Sequence, residues 1–171
     1  MKFHLDTAEV YVPDNQPLEQ ALSRTTHLCF AAHQDDIEIM AAAPILECFQ
    51  QADKWFTGVV MTDGRGSPRD GLYKDYNDEE MRLVRFKEQR KAAFVGEYAA
   101  RGIRLLHQPE RRGKIAAPLR EMLAFFREVR RRPYDLVIDF HGLLKSAAIV
   151  LISGGKRKLG YDSLQEGSGL F

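Results

Sequence analysis

Cysteine is scarce: Cys29 and Cys48 are the only two in 171 residues. Both stand in apolar surroundings, so they read as reduced, buried thiols rather than a disulfide framework. Long apolar runs are missing too; none approaches the ~18 residues a membrane helix needs. The opening MKFHLDTAEVYVPDNQP mixes acidic and polar residues and lacks the apolar centre of a signal peptide. These absences predict a cytoplasmic protein with no membrane span. Excess charge is also lacking: the formal net charge is +1, which names no partner. Basic residues do crowd between Arg101 and Arg132. That stretch is either a solvated helix face or a site for anionic ligands. No aromatics interleave with it as a single-strand nucleic-acid platform requires, so no nucleic-acid partner is expected.

What is present is a globular composition, 44% hydrophobic and 29% charged, in a chain long enough for one domain with a real core. Residues 1–24 read as an irregular arm with a short helix near Leu18–Leu22. A single domain, 25–171, follows. Its predicted strands are 26–33, 55–62, 103–107, 134–140 and 158–162. Between them, apolar residues at helical spacing predict helices over 37–51, 79–100, 115–132 and 142–153, the second capped by Asp78. Short strands alternating with helices predict an α/β fold: a doubly wound, Rossmann-like, mostly parallel sheet with helices on both faces. The expected strand order is 3-2-1-4-5. Ligands in such sheets gather beyond the carboxyl ends of the strands where the order reverses, here between strands 1 and 4.

At the carboxyl end of strand 1 stands FAAHQDDIEIMAAA, residues 30–43. With His33 last in the strand and Asp36 in the first helical turn, both side chains can converge on one point. Imidazole nitrogen and carboxylate oxygen suit Zn²⁺, which catalytic sites hold with three protein ligands and one open position. Asp35, its side chain directed away from that of Asp36, is free to take a proton from an attacking water. Glu38 reads as a supporting or capping group. The other reading is an acidic cluster at an ordinary helix start. No G-x-G-x-x-G follows the strand, so a dinucleotide cofactor is not expected.

Three motifs in order carry a resemblance. AHQDDIE resembles the AHPDDxE signature of the PIG-L/LmbE-like zinc-dependent deacetylases. VVMTDGRGS is similar to that family's T-x-G turn. Arg85, Glu88, Ala92, Ala93 and Gly96 follow its R-x-x-E-x-x-x-A-A-x-x-G helix pattern. The resemblance covers residues 26–108 and implies removal of an N-acetyl group from an N-acetylglucosamine-type or related amide substrate. It implies His33 and Asp36 as zinc ligands, Asp35 as general base, Arg85 facing the substrate, and Thr62, Asp63 and Gly64 as the pocket turn. Gln34 stands where the family has proline, which loosens the turn but removes no ligand.

The family's H-P-D-H segment, source of its third ligand, is absent from the sequence. Instead residues 114–171, with DFHGLLKS and LGYD, resemble the N-terminal domain of lipopolysaccharide heptosyltransferases. That resemblance implies a composite chain joined near 108–114, ending where a heptosyltransferase continues into a second domain. Among the five histidines, His141 ends strand 4, next to strand 1 in the expected order. It is the candidate third ligand, with Asp139 as support. His107 ends strand 3, about 10 Å away at ~4.8 Å per strand. Lys145 and Ser146 begin the next helix and suit a phosphate or carboxylate, or are simply solvated. The expected partner is a small-molecule amino sugar, and a homo-oligomer is compatible with the sequence. The alternatives are a heptosyltransferase-derived fragment that binds a sugar-phosphate acceptor, and an inactive composite lacking the third ligand.

Overall fold

A computed structural model describes residues 8–103, 127, 130–131, 133–140 and 144–160. The chain divides into two compact units, Met1–Gln108 and Pro109–Phe171. In the first, β1 (Glu9–Tyr11), α1 (Leu18–Ser23), β2 (His27–Ala31), α2 (Asp36–Met40), α3 (Ala42–Cys48), β3 (Phe56–Val60), α4 (Asp78–Val95) and β4 (Ala100–Ile103) follow one another. A single 3₁₀ turn, Gly71–Tyr73, interrupts the loop between β3 and α4. The strands form one sheet in the order β1-β4-β3-β2. β2, β3 and β4 are parallel, with Ala31 opposite Val60 and Val60 opposite Ile103. Parallel strands need a crossover, and α2–α3 and α4 supply the two crossovers. The α/β class expected from the alternation is therefore present.

β3 is buried at four of its five residues, as expected of a central strand read from the run FTGVV. Phe56 and Val60 join Ala31, Ile37, Ala41, Cys48, Ala93 and Tyr98 in one core cluster. The Phe56 and Tyr98 rings meet edge to face, 4.8 Å between centroids, a favoured aromatic geometry. Gly58 lets α2 come close: a Cβ there would lie 2.9 Å from Cδ1 of Ile37.

Several elements depart from the sequence reading. The arm contains a strand, for β1 pairs antiparallel with β4, Glu9 opposite Ile103. The helix expected over 37–51 is two short helices parted at Ala41. Pro44 is the reason. It has no N–H to donate to the Met40 carbonyl and its ring crowds that oxygen, so the proline settles into the first turn of α3. β4 begins at Ala100 rather than 103. The cap of α4 is Asn77, not Asp78. Its side chain accepts from the backbone N–H groups of Glu79 and Glu80, and Glu80 bonds back to the Asn77 N–H at 2.8 Å. This is the reciprocal capping box.

In the second unit β5 (Leu136–Ile138), α5 (Leu144–Ile152) and β6 (Arg157–Leu159) form a β-α-β segment. β5 and β6 pair in parallel, Val137 opposite Lys158. The Asp139 N–H extends the ladder to the Leu159 carbonyl at 2.8 Å. The expected strand residues 104–107, most of the helix over 115–132, His141 and the last residues of the 158–162 strand lie outside the described residues. Among the described residues no helix is long and apolar enough to cross a membrane.

Candidate functional site

The turn 32–35 leaves β2 and enters α2. Its shape rests on Asp35, whose φ of 79° lies in the left-handed region. Aspartate is among the few non-glycine residues that enter that region readily. Asp36, the first residue of α2, reaches back so that its Oδ2 accepts from the His33 N–H at 2.9 Å. The His33 ring follows, with Nδ1 3.4 Å from the same oxygen. Two ligands bound at about 2.1 Å to a tetrahedral Zn²⁺ stand about 3.4 Å apart. The pair therefore fits adjacent corners of such a site. The imidazole is 68% exposed and the Asp36 side chain 28% exposed, so both can be reached from solvent. Among the described residues no group of three His, Cys, Asp or Glu side chains is placed to hold a metal ion.

Arg85, on α4, brings its guanidinium to the same turn. Nη2 lies 3.4 Å from Asp35 Oδ2, while Nη1 donates to Glu88 Oε2 at 2.8 Å. The T-D-G turn lies alongside because the chain stays paired beyond Ala31 of β2 and Val60 of β3. Met61 N–H donates to the Ala31 carbonyl at 2.9 Å, and Thr62 N–H to that of Ala32 at 3.1 Å. The Thr62 hydroxyl donates to Ala32 O as well, at 2.8 Å. Asp63 is buried and committed to Arg65, which gives it a backbone N–H at 3.2 Å and Nε at 2.7 Å. Gly64 takes φ 74°. Glu38 faces inward, accepting from the buried Tyr98 hydroxyl at 3.1 Å, which ties α2 to the core.

Gln34 is the residue that sequence reasoning undervalued. Rather than slackening the turn, it is 1% exposed and donates Nε2 to the Thr62 carbonyl at 2.8 Å. No apolar pattern marks it; the only signal was a polar side chain flanked by two groups already assigned to the site. In the second unit the Ser146 hydroxyl donates to Asp139 Oδ2 at 2.8 Å. His141 lies outside the described residues.

An α/β protein with an H-x-x-D turn at a parallel strand end is the class these features define. The family model for GlcNAc-PI de-N-acetylases, PIG-L, matches residues 28–140, and the chain belongs to that family. At family level it is a de-N-acetylase-like hydrolase, and the family is generally zinc-dependent. Residues 122–171 match the glycosyltransferase family 9 (heptosyltransferase) model, so the chain combines a PIG-L segment with a heptosyltransferase-like one. The two matches overlap over 122–140, so the PIG-L pattern runs on past the joint expected at 108–114. No curated protein and no solved structure matches the chain.

Proposed function

We propose that the chain is a zinc-dependent hydrolase that removes the acetyl group from an N-acetylglucosamine-type or related amide substrate. The observation that carries this reading is the pairing of His33 Nδ1 and Asp36 Oδ2 at 3.4 Å. It sits beside the exposed Asp35 carboxylate in a PIG-L chain. His33 and Asp36 would hold the ion. When bound, Zn²⁺ polarises an amide carbonyl and acidifies water at neutral pH. Asp35 takes the proton of the attacking water and returns it to the departing nitrogen. Water's oxygen bonds to the acyl carbon, the C–N bond breaks, and acetate and a free amine leave. Arg85 steers Asp35, and Thr62, Asp63 and Gly64 line the approach. The reading includes a cytoplasmic location.

The test is elemental analysis of protein purified without added metal, followed by an N-acetyl hydrolysis assay at saturating zinc. Bound zinc and turnover are expected, with Asp35→Asn retaining the metal and losing turnover. A wild-type chain with neither zinc nor turnover is an inactive composite. The match over residues 122–171 favours a second reading, a fragment that binds a sugar-phosphate acceptor. Calorimetry with a phosphorylated amino sugar separates the two, since binding indifferent to chelator supports the second.

A further inference from the structure

Gln34 is buried, yet its amide is only half used. Nε2 donates to the Thr62 carbonyl at 2.8 Å. Oε1 is buried without a hydrogen-bond partner. A position that served packing alone would be filled at lower cost by an apolar side chain, because an unmet buried acceptor is unfavourable. What the amide adds is a cross-link between two turns 28 residues apart in sequence. One turn carries His33, Asp35 and Asp36; the other carries Thr62, Asp63 and Gly64. Gly64 is shaped to admit it: a Cβ there would stand 2.6 Å from Gln34 Oε1 and 2.8 Å from Cγ of Arg85. Gln34 therefore packs into the space left by a missing side chain, a space that Arg85, the arginine that reaches Asp35, also borders.

We propose that Gln34 is a positioning residue. Its side-chain amide locks the His33–Asp36 turn to the Thr62–Gly64 turn and so holds the imidazole and carboxylate at metal-binding separation. A proline at this place, as in the AHPDDxE pattern, would stiffen the turn through its own backbone. Glutamine reaches the same end through a tertiary hydrogen bond. The inference rests on the proposed metal-binding role of His33 and Asp36, and its test includes a measurement that needs no metal.

Gln34→Met keeps the length of the side chain and removes the donor. Amide hydrogen exchange of the metal-free chain should quicken about tenfold or more over residues 31–37 and 61–67, while Phe56–Val60 keeps its protection. Zinc affinity, from competition with a chromophoric chelator, should fall about 10–100-fold, as losses of groups that orient ligands do. The visible bands of the cobalt-substituted protein should shift with it. Unchanged exchange in both turns overturns the proposal. So does faster exchange with wild-type zinc affinity and an unaltered cobalt spectrum, because the amide would then serve folding only. If the wild-type chain takes up neither metal, the proposed function falls, and exchange alone decides whether the cross-link holds the turns. Should Gln34→Met fail to fold, Gln34→Asn, which draws the amide back by one methylene, carries the same comparison.

Discussion

Arg85 Nη2 stands 3.4 Å from Asp35 Oδ2, a contact between residues 50 apart in sequence. The arginine is itself braced by Glu88, one helical turn on. The Asp35 side chain is 60% exposed, so the pair adds little to stability; exposed ion pairs contribute ~0–1 kcal/mol. Its effect is on direction, because a cation beside a carboxylate limits where its oxygens point. Arg85→Met should leave the melting temperature nearly unchanged and lower kcat about 10–100-fold. Zinc content should hold at the wild-type level. Steady-state kinetics beside elemental analysis checks this; lost zinc would instead place Arg85 among the groups that hold the ligands.

Gly64 combines φ 74° with a crowded Cβ position. Gly64→Ala should therefore cost about 1–3 kcal/mol, the range for strained backbone positions. Urea unfolding measures it. Because the nearest obstruction is Gln34 Oε1, the cost should shrink in the Gln34→Ala background, since contacting sites are not additive. Equal costs in both backgrounds would mean that backbone strain, not the collision, dominates.

Asn77 caps the 18-residue helix that carries Arg85. Asn77→Ala should lower stability by about 1 kcal/mol, as loss of an N-cap does. Asp78 pairs with Arg69 but caps nothing, and Asp78→Ala should cost less. Thermal melts of the two variants decide the order.

Cys48 is buried in the core. Burial raises its thiol pKa, outweighing a hydrogen bond from Thr26 that lowers it. The folded state thus keeps the proton to higher pH than the unfolded chain. Its contribution is complete below the unfolded thiol value of ~8.5 and disappears as pH climbs through the higher folded value. The denaturant midpoint should fall over that alkaline window in wild type, and fall less in Cys48→Ala. Native-state reaction with a thiol reagent should also reach the partly exposed Cys29 before Cys48.

β2 and β3 were legible to within about two residues because each is a compact apolar run closed by turn chemistry; β3 is buried on both faces as such a run suggests, whereas Leu28 and Phe30 of β2 stay exposed. The ligand turn was legible for the same local reason: His33, Asp35 and Asp36 are near neighbours in sequence. The break at Ala41 is written in Pro44, though the alanine-rich apolar period around it reads as one continuous helix. Asp78 reads as a cap because aspartate suits that role, and so does the asparagine before it; only the reciprocal bond from Glu80 singles out Asn77. β1 escaped notice because three residues of an edge strand carry no period of their own.

Strand–helix alternation, the H-x-x-D spacing and the family pattern were thus properties of residues close together along the chain, where side-chain type and backbone preference suffice. The pairing of Glu9 with Ile103, the grip of Arg85 on Asp35 and the reach of Gln34 to Thr62 came only with folding. Each joins segments separated by 28 residues or more. Which of many polar groups meet at that range is set by how the sheet and helices pack, and no local periodicity records it.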